Sequence, residues 1–215
     1  MPVAGFQQDC RRCARLAGFL DQIRLSHPHY HAGPVPPFGD PDPRLLIVGL
    51  APGLHGANAT GRPFTGDHAG ILLYQSLYRF GFSDRPESRS ADDGLRLTGC
   101  RITNAVKCVP PQNKPVGAEI RTCNSYLAEE LRSLARVKVV LALGLVAHQA
   151  VLRALSARLA EYRFAHGAEW ALPDGRTLLD SYHCSRYNTQ TGRLTEAAFR
   201  QVFERARRIL DQPDP

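Results

Sequence analysis

Two stretches of this chain concentrate side chains that could do chemistry. Residues 49–70, GLAPGLHGANATGRPFTGDHAG, hold six glycines together with His55, Asn58, Arg62, Phe64 and Asp67. Glycines let backbone N–H groups approach an anion or a flat ring without Cβ obstruction, and a helix starting near residue 68 would help hold negative charge. The spacing is neither a Walker loop nor a G-x-G-x-x-G fingerprint, so on glycine content alone an ordinary strand-to-helix turn is the plainer reading. Residues 182–195, YHCSRYNTQTGRLT, place His183 ahead of a run of hydroxyl, amide and Arg side chains. Polar loops of this kind suit phosphate and groove contacts.

A third constellation is made of thiols. Cys10 and Cys13 form a C-x2-C pair on an expected N-terminal helix, and Cys108 and Cys123 bracket the proline-rich loop VPPQNKPVGAEIRT. Four soft thiolates satisfy iron–sulfur or zinc, and neither needs an open position in a structural role; spacing alone does not choose between them. A bound group would tie the N-terminal helix and the 108–123 loop to the second strand. Cys100 and Cys184 read as small buried residues near strand ends.

The elements that position these groups follow from periodicity. Leu16, Leu20 and Ile23 give the segment from Asp9 to about Leu25 one apolar helical face. Residues 31–43, HAGPVPPFGDPDP, carry five prolines and no periodicity, which predicts an ordered loop. Four short apolar runs, 45–50, 101–106, 138–143 and 177–182, read as buried parallel strands. Helical patterns fall at about 69–80, 117–134, 145–159 and 195–210. The expected architecture is an α/β fold, a three-layer α/β/α sandwich with a central four-stranded parallel sheet and ligands outside the carboxyl ends of the strands.

Composition bounds the setting. A chain of 215 residues, 43% hydrophobic and 22% charged, suits one domain over residues 1–215. With 27 Lys and Arg against 20 Asp and Glu, the formal charge is +7 and the pI near 9.3, which favours acidic partners. No run approaches the roughly 18 apolar residues of a membrane span, and the N-terminus lacks a secretory core, so a cytoplasmic monomer without membrane association is expected. In a reducing compartment, clustered cysteines are read first as metal ligands.

Taken together, the motifs resemble the uracil-DNA glycosylase superfamily, specifically its B-type (family 5) iron–sulfur branch, over nearly the whole chain. GLAPGLHGANATGRPFTGD is similar to the branch's first motif, TNAVKC to its central asparagine strand and HCSRYNTQTGRLT to its second motif. The four cysteines match its cluster ligands. The resemblance implies a [4Fe–4S] cluster rather than zinc. It implies a monofunctional glycosylase acting on double- and single-stranded DNA that contains uracil or other deaminated bases, in base excision repair.

Such an enzyme extrudes its target nucleotide into a pocket, at a cost of about a few kcal/mol. The resemblance then assigns expected roles. Phe64 stacks on the everted base, and Asn104 offers a donor and an acceptor to uracil O4 and N3–H. His183 donates to O2 of the departing base, with backbone N–H groups near Ala51 and Gly53 sharing that task. Ala51 stands where other branches carry a polar water-activating residue, so Asn58, His55 and Asp67 become the candidates for handling water. Asp67 serves equally well as a helix N-cap. Arg186 and Arg193 would lie near phosphates, with Tyr187 or Asn188 filling the vacated base position. Small Ala51, Gly53 and Ala57 suggest a roomy pocket. Lys107, Lys114 and Lys138 lie outside both catalytic motifs, which argues against Schiff-base lyase chemistry. The rival readings are a non-catalytic DNA-damage-binding protein and an enzyme acting on free nucleosides.

Overall fold

The structure, a computed structural model, describes residues 6–212; the two ends of the domain expected over residues 1–215 lie outside the described residues. Its centre is a sheet of β1 (Phe38–Gly39), β2 (Leu45–Gly49), β3 (Cys100–Asn104), β4 (Val139–Leu143), β5 (Glu169–Ala171) and β6 (Thr177–Ser181), in the order β1-β3-β2-β4-β6-β5. The four inner strands β3, β2, β4 and β6 are parallel, as the apolar runs predict. Short antiparallel strands β1 and β5 are added at the two edges. One of these, β1, falls inside the proline-rich segment expected to be loop throughout.

Each inner strand is apolar on both faces because helices cover both. Leu45 and Ile47 of β2, with Val139 and Leu141 of β4, pack toward α3 (His68–Arg79) and α7 (Glu196–Leu210), where Leu73, Leu77, Phe199 and Phe203 meet them. The alternate residues Leu46, Val48, Val140 and Ala142 face α4 (Gly117–Ser133) and α5 (Leu145–Ala154), through Leu127, Leu131, Ala150 and Val151. The period-two alternation of the strands thus generates the three layers. Among the described residues no helix is long and apolar enough to cross a membrane.

Two helix boundaries differ from the periodicity, and two short helices are added. The first helix, α1, spans Ala14–Ser26, because Cys13 adopts an extended N-cap conformation; the C-x2-C pair precedes the helix instead of riding on it. Helix α5 stops at Ala154 rather than near 159. Ser156 takes φ 56°, its N–H donates to Arg153 O and the Ala157 N–H to Leu152 O, a terminating pattern that satisfies the last carbonyls. Two short helices, α2 (Ala57–Thr60) and α6 (Arg186–Gln190), form within segments read as loops.

Candidate active site

The site begins where β2 and β3 end. Gly49 pairs with Asn104 across the two strands. A methyl group on Gly49 would lie 2.4 Å from Asn104 Oδ1 and 2.7 Å from Phe64 Cζ, so only glycine lets the amide and the ring meet over the sheet edge. Phe64 has φ 57°, a left-handed conformation unusual for a bulky residue. The two residues before it are fixed in place. Buried Arg62 donates to Asp93 Oδ1 at 2.6 Å, Ser88 Oγ at 3.0 Å and Ala91 O at 2.6 Å, with its guanidinium 4.3 Å from the Phe38 ring centroid. Against the burial that would raise it, these Arg62 contacts and three backbone N–H groups hold the Asp93 carboxyl well below its usual range. On the next residue, Pro63 O accepts from Tyr74 Oη at 2.9 Å.

Above this floor opens a pocket of about 500 Å³. It lies at the carboxyl ends of the parallel strands: Leu50 and Ala51 follow β2, Asn104 ends β3 and His183 follows β6. Asn104 is almost wholly buried, makes no side-chain hydrogen bond among the described residues, and leaves Oδ1 without a partner. An unpaired buried amide oxygen costs free energy until something binds it, and because Asn104 also lines the pocket its amide is placed where a ligand could supply that partner.

The His183 ring lies nearly parallel to Phe64, with centroids 5.9 Å apart and planes 24° apart. Although the side chain keeps some contact with solvent, burial pushes its pKa down to about 4, so the imidazole is neutral near pH 7. Neither ring nitrogen has a hydrogen-bond partner among the described residues. The loop that carries His183 is closed by Asn188, whose Nδ2 donates to His183 O at 2.8 Å and whose N–H donates to Ser185 Oγ.

Asp67 shows how the first motif closes on itself. It occupies the N-cap position of α3 without capping that helix; its Oδ2 instead accepts from Ala57 N at 3.1 Å, at the start of α2. Burial raises its pKa, opposed by the backbone N–H groups of Ala57 and Gly53 and by nearby His55. Side chains on Gly53 or Gly56 would come within 2.3 Å and 2.0 Å of this carboxyl group.

The cysteine site stands apart from the pocket. Cys10, Cys13, Cys108 and Cys123 line one small cavity, packed against Leu16, Val106 and Tyr126. Arg15 of α1 donates to both carboxylate oxygens of Glu119 in α4 at 2.7 Å, drawing the two halves of the site together. Lys107 N–H donates to Cys123 Sγ at 3.3 Å. Burial and the mutual proximity of the sulfurs push the Cys108 thiol up to about 12 and raise Cys13 as well. Cys100 and Cys184 are fully buried elsewhere, with Cys184 Sγ donating to Ala69 O. Among the described residues no three His, Cys, Asp or Glu side chains are grouped to hold a single metal ion.

A profile of the uracil DNA glycosylase superfamily matches residues 36–207. The chain belongs to that superfamily. It is 48% identical over 205 residues to a type-5 uracil-DNA glycosylase of Thermus thermophilus, covering 93% of each chain. It is 42% identical over 202 residues to a type-5 uracil-DNA glycosylase of Pyrobaculum aerophilum, covering 92% of this chain and 88% of the relative. To a type-4 uracil-DNA glycosylase of Archaeoglobus fulgidus the match is 35% over 116 residues, 54% of this chain and 50% of the relative. Full-length similarity thus runs to type-5 members, in keeping with the branch the motifs resemble.

In this superfamily member the pocket gathers Ala51, Gly53, Phe64, Asp67, Asn104, His183, Arg186 and Tyr187 from the residues the motifs single out. Others lie outside it. Asn58 is fully buried behind the loop, its Nδ2 weakly bonded to Leu54 O and its Oδ1 unpartnered. His55 is exposed, bonded through Nδ1 to Tyr30 Oη at 2.9 Å and grouped with the His27 ring. Arg193 is exposed and lies 4.5 Å over the Tyr182 ring. Residues without an expected role join the site. Arg62 fixes Phe64, while His68 and Asn113 line the pocket. The sequence shows Arg62 only as a charged residue embedded in the first motif, with no sign that it would be buried beside Phe64, and nothing in the sequence around Asn113 pointed to that residue.

Proposed function

We propose that this chain excises uracil from DNA by hydrolysing the N-glycosidic bond. The observation that carries the reading is the convergence of Phe64, the unpartnered Asn104 amide and the neutral His183 imidazole on one pocket at the strand ends. Phe64 supplies a flat face for an everted base. The Asn104 amide donates to O4 and accepts from N3–H, a pattern that cytosine reverses. Bond cleavage places negative charge on the departing base, and His183 answers it by donating an N–H to O2. A neutral imidazole suits this task, since it stabilises the anion through a hydrogen bond without first having to capture a proton.

Asp67 is the group in the pocket suited to holding the attacking water or favouring the positive charge that builds on the sugar. Asn58 and His55 lie outside the lining: the Asn58 backbone is tied to Gly53 O and to Ala32 N–H, and the His55 ring to Tyr30 Oη. Among the described residues no lysine lines the pocket; Lys107 is buried with its ammonium on Thr103 Oγ1 and Glu130, which supports hydrolysis without a Schiff-base step. A volume near 500 Å³ lies in the range that holds whole drug-sized ligands, which favours acceptance of other deaminated bases besides uracil. Exposed Arg186, Tyr187 and Arg193, with Asn188 closing the loop, present the DNA-facing surface for single- or double-stranded substrate.

The cysteine site fits a [4Fe–4S] cluster by its donor set: four thiols on one cavity, with a backbone N–H already aimed at one sulfur. Cys10, Cys13, Cys108 and Cys123 would hold it. Bound there, the cluster supplies cross-linking of the 10–13 segment to the 108–123 loop, and the hydrolysis is left to the pocket residues.

The test is incubation with duplexes carrying U·G or U·A, followed by alkali. Strand breaks at uracil are expected, and without alkali the backbone stays intact. Binding with no breaks in either duplex would overturn the reading in favour of a non-catalytic damage-binding protein. Purified under anaerobic conditions, the protein should be brown with about four irons per chain; a colourless zinc-loaded protein would overturn the cluster assignment.

A further inference from the structure

The pocket has a wall that none of its chemical motifs supplies. Asn113 lines it, from the proline-rich loop between Cys108 and Cys123. Gln112 and Asn113 both adopt left-handed backbone conformations, φ 56° and φ 57°, and both are exposed. Two adjacent residues of this kind cost free energy, and the fold retains them although Asn113 forms no side-chain hydrogen bond among the described residues that would offset it. Proline residues on both sides, Pro110, Pro111 and Pro115, restrict the loop. At its base, Arg15 donates to Lys114 O at 3.2 Å. The loop is therefore braced, and its polar tip is presented to the cavity.

Topology sets the direction of that presentation. Asn113 follows β3, whereas Arg186 and Tyr187 follow β6, and the order β3-β2-β4-β6 puts two strands between them. Three strand spacings amount to about 14 Å, so the two contributions rise from opposite flanks of the pocket. An everted nucleotide entering between them meets a cationic and aromatic side on one flank and a lone neutral amide on the other.

We infer that Asn113 is a substrate-positioning residue, whose amide holds the everted nucleotide at the pocket mouth from the side opposite Arg186 and Tyr187. The inference rests on the glycosylase reading above. It assigns the cysteine-bracketed loop a direct part in binding the target, beyond the structural task of the thiols. Because the amide is neutral, its contribution is to the everted nucleotide and not to general attraction between protein and phosphate.

Asn113→Gly is the informative substitution, since glycine tolerates the left-handed backbone while removing the amide. Gln112→Gly is the matched control, for Gln112 shares the conformation without lining the pocket. For uracil-containing duplex, Asn113→Gly should lower kcat/KM about three- to tenfold, as expected for one lost hydrogen bond. Affinity for undamaged duplex and the salt slope of that affinity should stay at the parental values, as should the melting temperature. Gln112→Gly should keep parental kcat/KM. Parental kcat/KM in Asn113→Gly, or an equal loss in both variants, would overturn the inference while leaving uracil excision standing. A parent protein that releases no uracil overturns the glycosylase reading itself.

Discussion

Phe64 and His183 stack on one another at 5.9 Å, closer than two rings that enclose a third. Sandwiching a planar base needs about two van der Waals layers, roughly 7 Å or more. In the proposed mechanism the base would therefore take the face of Phe64 while His183 meets its edge, as a donor to the departing oxygen would. The two residues are separated by 119 positions in sequence and brought together by β2 and β6, with β4 between them.

Removing the donor should strike the chemical step. His183→Ala is expected to lower single-turnover excision of uracil about ten- to a thousandfold, with little change in affinity for the DNA. Unchanged turnover would remove the imidazole from the mechanism.

The depressed pKa of His183 also couples to stability. Folded His183 takes up a proton only near pH 4, whereas an unfolded imidazole does so near about 6.5. Between these values the unfolded chain binds more protons, so stability rises with pH through the window and is lost as pH falls from about 6.5 toward 4. Urea midpoints measured at about pH 5 and about pH 7.5 should differ less in His183→Asn than in the parent. An equal difference would place the titration elsewhere.

Stacking predicts a separate loss. Phe64→Ala should reduce kcat/KM for uracil duplex by the equivalent of about 1–3 kcal/mol, the worth of one base–aromatic contact. Retention of parental efficiency would show that the base rests on another surface.

Gly49 is expected to be intolerant of the smallest side chain. Gly49→Ala drives a methyl group into Asn104 Oδ1 and the Phe64 ring at once, so excision should fall sharply while the fold loses about 1–3 kcal/mol from overpacking. Parental activity together with parental melting temperature would mean that amide and ring move freely.

Cysteine substitutions should divide into two groups. If the proposed cluster is bound, serine at Cys10, Cys13, Cys108 or Cys123 should bleach its visible absorbance and lower the melting temperature, since a group held only by the folded state stabilises it. Serine at Cys100 or Cys184 should leave the absorbance intact. Loss of colour from Cys100→Ser or Cys184→Ser would contradict the ligand assignment.

The four inner strands were legible because helices cover both of their faces, which turns them into continuous apolar runs such as LLIVG and VVLAL. The edge strands were not. β1 is two residues long in a proline-rich stretch, and β5 alternates exposed and half-buried residues through Glu169, Trp170 and Ala171. Asn104 and His183 could be singled out because motif and strand end coincide in sequence, and Phe64 because it is the one aromatic in the first motif. The separation of Asn58 and His55 from the pocket could not, since it depends on the short helix α2 folding Asn58 inward and on Tyr30 capturing His55. Asp67 shows the same limit: its position in sequence is that of a helix cap, and only the tertiary approach of Ala57 turns its carboxylate away.

The alternation along β2 sets a tight tolerance on chain length. Leu45 and Ile47 feed one helix layer, and Leu46 and Val48 feed the other. Inserting a single residue upstream would swap which layer each of them serves and would deliver a branched side chain to the spot that Gly49 leaves bare. Apolar substitutions at positions 45–48 can be repaired by neighbouring apolar groups, but a change of frame there has no local remedy, because packing and the site at Gly49 would fail in the same step.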